Sequence, residues 1–310
     1  MSAIMNMRTT TPVNTFIGPG SSRMVGMLSE KVGAKTAFVV CDAGVKAAGL
    51  VDGILESLQE KNISAQVFDG VVADAPDTVV DQAADLCRSA GCQVVIGVGG
   101  GSSLDTAKSI AMLQNNPGKV SEYATNPKKP RVKGAKLILI PTTAGTGSET
   151  TTGAVVAVSP MGIKCGFTGP DLLPDFTLVD PLLTLGLPHS QTAATAMDAF
   201  AHCVESMLTG ISNPVCDVLA LEGIRLITNT SARSWKTART WRPARTLCSP
   251  PIWAVCPSTT AAAASATPSP TPSVPNITCP TGFFAVSPCP WWWNTLRNSI
   301  PKKSARLRMQ

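Results

Sequence analysis

Val94-Val-Ile-Gly-Val98 is an apolar run that passes directly into Gly99-Gly-Gly-Ser-Ser-Leu-Asp-Thr-Ala-Lys108. The first five residues suit a strand buried on both faces, and Ser102 to Leu113 carries helical spacing. A strand that ends in glycines and feeds a helix is the repeating turn of a parallel α/β sheet. Glycines let a backbone approach an anion closely, and the first N–H groups of a helix point at it. Ser102 and Ser103 stand where a hydroxyl caps the helix or donates to a phosphate oxygen. A tight strand–helix turn with no ligand uses the same residues. The spacing is not the GxGxxG fingerprint, which gives no support here.

The pattern extends in both directions. Thr36 to Cys41, Ala65 to Phe68 and Leu137 to Ile140 are short apolar runs, the first ending at Asp42 and the last stopped by Pro141. Helical spacing fills Gly49 to Lys61 and Asp77 to Gly91 between them. Alternation of this kind predicts a Rossmann-like parallel sheet with right-handed crossovers. A second polar loop, Ile140-Pro-Thr-Thr-Ala-Gly-Thr-Gly-Ser-Glu-Thr150, also follows a strand. Two such loops at strand carboxyl ends are expected to share one crevice. Asp42 can meet a ribose hydroxyl there or cap the next helix. From Leu187 to Asn229 the pattern turns wholly helical, with one helix over Thr192–Glu205 and another over Asn213–Thr228. Asp198 and His202 are four apart, so they share a helix face. A carboxylate and an imidazole so placed can hold a divalent metal or form a satisfied polar pair. His189, in Leu-Pro-His-Ser, reads as a helix-entry residue.

The formal net charge of +6 averages two unlike segments. Residues 1–229 hold 16 Lys and Arg against 20 Asp and Glu, whereas residues 230–310 hold ten basic residues and no acidic one. That last stretch also carries all six tryptophans, 12 of the 25 prolines and one of the 25 glycines. Its basic residues follow no helical stripe, so nucleic-acid binding is not expected. No apolar run reaches the roughly 18–20 residues of a membrane span. Met1 to Gly18 lacks the basic and apolar regions of a signal peptide. Ten cysteines without a CxxC pair suit a reducing cytoplasm rather than a disulfide framework.

GGGSSLDTAK, PTTAGTGSET and AATAMDAFAHCVE, in this order and spacing, resemble the iron-containing (group III) alcohol dehydrogenases, a family that includes lactaldehyde reductases and butanol and methanol dehydrogenases. The resemblance spans residues 14–229. It implies an NAD(P)-binding α/β domain over 1–186 and the start of an all-helical metal domain over 187–229. It implies that Gly99, Gly100, Gly101, Ser102, Thr142, Thr143, Gly145 and Lys164 surround NAD or NADP, and that Asp42 binds the adenosine ribose. Asp198 and His202 become the first two ligands of a divalent iron, with zinc as the alternative metal. The implied reaction passes a hydride between the nicotinamide and a short-chain alcohol or aldehyde whose oxygen the iron polarises. Family members are expected to be homo-oligomeric.

The family pattern has two further histidine ligands, and no histidine follows His202. Cysteines 248, 256, 279 and 289 are no obvious substitute. Tryptophan has a single codon, which allows a test of the reading frame. With each codon begun one base earlier, Trp235-Lys-Thr-Ala-Arg-Thr-Trp-Arg-Pro-Ala-Arg245 permits Val-Glu-Asp-Gly-Lys-Asp-Leu-Glu-Ala-Arg-Glu, an acidic, helix-forming phrase typical of the family. The run Trp291-Trp-Trp-Asn-Thr295 likewise permits Leu, Met or Val, then Val-Val-Glu, then Tyr or His, again a family-like phrase. Thr267 and Thr281 then permit histidines 14 residues apart, the family's spacing, although every threonine is permissive in this way. The expectation is a one-base frame change between Asn229 and Trp235, leaving residues 230–310 as an aberrant, disordered tail and this chain inactive. The alternative readings are a non-catalytic nucleotide-binding remnant and a lyase like dehydroquinate synthase.

Overall fold

The computed structural model describes residues 13–208 and 214–234, with side chains throughout except at Pro160 and 230–234. The expectation for the remainder of the tail lies outside the described residues. Eight strands occur among them: β1 (Asn14–Ile17), β2 (Thr36–Asp42), β3 (Ser64–Val71), β4 (Val94–Gly99), β5 (Lys136–Pro141), β6 (Gly153–Val158), β7 (Ile163–Thr168) and β8 (Phe176–Val179). The helices are α1 (Val25–Lys31), α2 (Ala43–Ala47), α3 (Asp52–Glu60), α4 (Asp77–Ser89), α5 (Gly101–Leu113), α6 (Val120–Thr125), α7 (His189–Leu208) and α8 (Pro214–Ser234).

Six strands pair in the order β1-β8-β5-β4-β2-β3, all parallel. β2 and β4 are unbroken apolar runs because both faces of the sheet are covered. Side chains alternate between the two faces. Phe38, Val40, Val95, Leu137 and Leu139 enter one core with α4, α5 and α6. Ala37, Val39, Val94, Ile96, Ile138 and Ile140 enter the other with α1 and α3. This is the doubly wound α/β arrangement that the strand and helix spacing predicts.

α5 is buried on nearly every side, and Leu104, Ala107, Ile110 and Met112 are fully buried. It is enclosed by the sheet on one side and by the hairpin of β6 and β7 on another. That antiparallel hairpin adds Ala154, Val156, Val158 and Phe167 to the same core. α7 packs through Ala196 and Ala199 on Val179 at the end of β8 and on Ile227 of α8. His189 is the first residue of α7, as its sequence context suggests.

Several elements differ from the sequence expectations. The strand expected as the first is the second, because β1 precedes it and pairs with β8. β6, β7 and β8 lie in a stretch where no strand was expected. The helix expected over Asn213–Thr228 continues to Ser234. On the two last helices the large exposed apolar residues are Leu208 of α7 and Val215, Val218 and Leu221 of α8. No described helix is long and apolar enough to cross a membrane.

Ile96 sits at 0% exposure in the second core, and Val218 is 66% exposed. Ile96→Ala is expected to lower unfolding free energy by about 2–5 kcal/mol through a cavity in the sheet. Val218→Ser is expected to stay within about 0.5 kcal/mol. Urea unfolding followed by circular dichroism checks both, and a mild effect at Ile96 contradicts the placement of β4 at the sheet centre.

Candidate functional site

β2 and β4 are neighbours, yet the chain leaves β2 toward β3 on one side and β4 toward β5 on the other. Such a reversal opens a crevice at the strand carboxyl ends. Val40 pairs with Gly97, which brings Asp42 level with the glycine cluster. One Asp42 oxygen accepts the Val45 amide at 2.9 Å and caps α2. The other accepts from the Ser103 hydroxyl at 3.4 Å, across the crevice floor. The capping reading of Asp42 therefore holds for one oxygen and leaves the second at the strand ends.

Gly99 has φ +147°, and a Cβ there would lie 2.6 Å from the Ser103 Oγ, so only glycine fits. Gly100 stands at the N-cap of α5 and supplies no side-chain cap. Neither serine caps the helix. Ser103 is turned to Asp42, and the Ser102 Oγ accepts the Asp74 amide at 3.1 Å. The amino end of α5 is thus left with backbone donors and no side-chain acceptor, which is the electrostatic profile of an anion cradle.

The second loop starts at the same level. The Thr142 amide donates to the Gly99 carbonyl at 3.0 Å. Thr143 lies beside Gly100 and Thr146 beside Gly101. Gly145 turns elsewhere. It packs on α7, where a Cβ would meet the Thr195 carbonyl at 2.8 Å. Gly145 thereby lets the loop touch the helix that carries Asp198 and His202. Lys164, on β7, donates to the Asp74 carboxylate at 2.7 Å, and the Asp74 amide in turn donates to Ser102 at the amino end of α5.

Beneath the two loops lies a group of charges that the sequence reading did not single out. Lys108 is fully buried, and its Nζ donates to the Thr151 carbonyl at 3.0 Å, the Thr151 hydroxyl at 2.9 Å and the Gly153 carbonyl at 2.6 Å. Asp105 accepts from the Ser148 hydroxyl and from the Val155 amide at 3.0 Å. Glu149 is 3% exposed. Burial pushes the Glu149 carboxyl up to about 7, against the pull of its own amide and of Lys108. Burial also brings the Lys108 ammonium down to about 8, against the carboxylates of Asp105 and Glu149. Asp105 is raised by burial as well, with Lys108 opposing. The available signal was a lysine among the apolar residues Leu104, Ala107 and Ile110 of one helix.

Asp198 and His202 stand half-buried on α7. Burial raises the Asp198 carboxyl and the imidazole of His202 opposes that shift. No grouping of three or more His, Cys, Asp and Glu among the described residues could hold a metal. The chain has only two histidines, and the other, His189, opens α7. One carboxylate and one imidazole do not make the donor set that iron requires.

The raised Glu149 carboxyl has a consequence for stability. Its folded-state pKa lies above its unfolded value, so the folded chain holds the extra proton between about 4.5 and about 7. Stability falls as pH rises through that window, and above it the ionised group costs on the order of 3 kcal/mol. Glu149→Gln is therefore expected to raise the urea midpoint at pH 8 and to leave it nearly unchanged at pH 4.5. Equal midpoints for the two proteins at pH 8 contradict a buried, strained carboxylate.

Comparison with known proteins places this geometry. The iron-containing alcohol dehydrogenase model matches residues 12–181, and the C-terminal model of the same family matches residues 192–247, past the expected frame change. The chain is 42% identical over 198 residues to 4-hydroxybutyrate dehydrogenase of Cupriavidus necator, covering 63% of this chain and 51% of that protein. It is 37% identical over 223 residues to 1,3-propanediol dehydrogenase of Citrobacter freundii, covering 70% and 56%. The crystal structure of a 1,3-propanediol oxidoreductase superposes with TM-score 0.76 at 31% identity, over 82% of this chain and 65% of that one. The chain spans about half the length of the curated relatives it matches. On its sequence motifs, its sheet and these matches, the chain belongs to the iron-containing alcohol dehydrogenase family.

Proposed function

We propose that this chain is the dinucleotide-binding half of a family dehydrogenase, that it binds NAD(H), and that as written it does not turn over. The observation that carries the reading is the convergence of the Gly99–Ser103 turn and the Thr142–Ser148 loop at the switch point, with an uncapped helix end between them. The amino end of α5, with Gly99, Gly100, Gly101 and Ser102, takes the diphosphate. Thr142 and Thr143 supply hydroxyls beside it, and Lys164 lies on the flank. The Asp42 oxygen that faces Ser103 accepts from a ribose hydroxyl, and its charge disfavours a 2′-phosphate, which selects NAD over NADP. A relative supports the nucleotide: the NAD-dependent methanol dehydrogenase of Bacillus methanolicus is 34% identical over 218 residues.

In the whole enzyme the reaction is hydride transfer between the nicotinamide and a short alcohol or aldehyde. Relatives named for propanediol and hydroxybutyrate favour a small, polar substrate. Asp198 and His202 are the part of the metal site this chain carries, on the helix that Gly145 brings to the nucleotide loop. Two donors are too few, so the chain is a nucleotide binder without a working metal centre. Residues 1–186 form the nucleotide domain in this reading and 187–229 the beginning of the helical one.

Titration of the purified 310-residue chain with NADH is expected to enhance nicotinamide fluorescence, with ADP competing. The same chain with added iron is expected to leave short aldehydes unreduced. Restoring the frame near codon 230 is expected to return iron binding and aldehyde reduction together, and Asp198→Ala or His202→Ala in that protein is expected to remove both. Aldehyde reduction by the present chain at the rate of the restored protein refutes the incomplete-site reading. Absence of NADH binding refutes the nucleotide reading.

A further inference from the structure

We propose that the cleft at the amino ends of β5 and β8, lined by Lys129, Arg131, Lys133, Gly169 and Asp171, is a second anion site, which takes a small phosphorylated molecule by its phosphate group. The nucleotide crevice lies at the carboxyl ends of the sheet, so the proposal goes beyond that reading and does not rest on it.

The charge that draws an anion is local. Residues 1–229 hold 16 basic residues against 20 acidic ones, yet Lys128, Lys129, Arg131, Lys133 and Lys136 fall within nine positions that contain no acidic residue. This segment joins α6 to β5 and meets the turn between β7 and β8 around an open cavity of about 410 Å³. A cavity of that size is in the range of small-molecule sites and has room for an organic group beside the anion.

Arg131 is the most deeply buried of the three lining cations. Its side chain is 8% exposed, and the guanidinium carbon lies 5.3 Å from the centre of the Phe167 ring. Nη2 donates to the Thr168 carbonyl at 2.6 Å, and Nη1 makes no hydrogen bond among the described residues. Nε is 3.1 Å from Asp171 Oδ2 but off the line of a hydrogen bond, and that buried oxygen accepts none. A donor and an acceptor left incomplete side by side cost free energy until a further group completes them. Gly169 brings the two together. A Cβ there would overlap Asp171 Oδ1 and lie 2.5 Å from Arg131 Nη2.

The lysines flank this pair. Lys133 donates to the Leu173 carbonyl and stands 3.7 Å from Asp175. Burial lowers its pKa against the pull of Asp175, so its charge is under-compensated. Lys129 pairs with Glu122 at 2.5 Å. Five cations against the carboxylates of Glu122, Asp171 and Asp175 leave an excess of positive charge. Guanidinium and ammonium groups suit the oxygens of a phosphate. Asp171 adds the selection. A phosphate group, whose second pKa is about 6, still carries a P–OH at mildly acid pH, and that hydroxyl can donate to the carboxylate. Sulfate has no proton there and sets a bare oxygen against it.

The test is calorimetric titration of the 310-residue chain at pH 6 and constant ionic strength with inorganic phosphate, glycerol phosphate and sulfate. NADH is present in excess to occupy the amino end of α5. Both phosphates are expected to bind with dissociation constants on the order of 1 mM or tighter, and sulfate about tenfold more weakly. Lys129→Met and Lys133→Met, at partly exposed side chains, are expected to weaken phosphate about tenfold each with NADH affinity unchanged. Asp171→Asn is expected to tighten sulfate and erase the preference, a gain that lost packing does not produce. Circular dichroism checks each fold, and if Asp171→Asn does not fold, the lysine variants and the sulfate comparison decide. Loss of phosphate binding in the lysine variants assigns it to this cleft whether or not NADH binds. Phosphate binding that is absent at millimolar concentration, no tighter than sulfate, or indifferent to both lysines overturns the site. A chain that takes phosphate but excludes glycerol phosphate overturns a phosphorylated molecule as its occupant.

Discussion

The hydrogen bond from the Thr142 amide to the Gly99 carbonyl, 3.0 Å, is the contact on which the crevice depends. It continues the β4–β5 ladder one step beyond the strands, after Gly99 has paired with Pro141. In a parallel ladder the carbonyl takes the amide of the residue after its partner, so the proline at 141 costs this edge no bond. Because the pairing is carried past both strands, the glycine turn and the threonine loop start from the same height. Gly99 must at the same point adopt φ +147° and pass within a Cβ's distance of Ser103. The turn is therefore constrained by the sheet on one side and by α5 on the other, and little is left for the loop sequence to decide.

The parts legible in the sequence are those whose local pattern and tertiary role agree. β2, β4 and β5 are apolar runs because they lie inside the sheet, and α4 and α5 carry helical periods next to them. β1 and β8 were not legible. Each has four residues, and they pair with one another across some 160 positions of chain, so their stability comes from a partner that no window contains. β7 is largely exposed and interrupted by Gly166, and it is held by β6 and α6 rather than by its own propensity. Asp42 illustrates a different limit. Sequence offered a cap or a ribose contact, and the carboxylate has two oxygens, of which the cap uses one.

Lys108 escaped attention for a physical reason as well. In a sequence, a lysine after an apolar stretch reads as the solvated edge of a helix. Here the helix is enclosed on the side that Lys108 faces, and the ammonium is tolerated because three backbone and hydroxyl oxygens replace water. Those acceptors come from a segment more than 40 residues away. Burial of a charge is thus decided by topology, and the local pattern carries only the hint that an apolar helix contains one long basic residue.

The helical pair α7 and α8 shows how family membership and function separate. Ala196, Ala199 and Cys203 are small, which lets α7 approach the carboxyl end of β8 and α8 closely. That approach puts Asp198 and His202 on a helix that Gly145 joins to the Thr142–Ser148 loop. A metal centre, however, is a property of the number of donors at one point, and its affinity falls steeply when donors are lost. The nucleotide crevice has no such threshold. Its candidate backbone donors, glycines and hydroxyls all come from residues before Ser148, on a sheet that β8 and β1 complete at one edge. The two halves of the chemistry are therefore expected to fail separately: loss of helical-domain donors removes the metal and leaves the cradle intact. On the proposed assignment, with the cofactor site entirely on the layered sheet and the metal donors on helices packed against it, a chain can keep the first without the second.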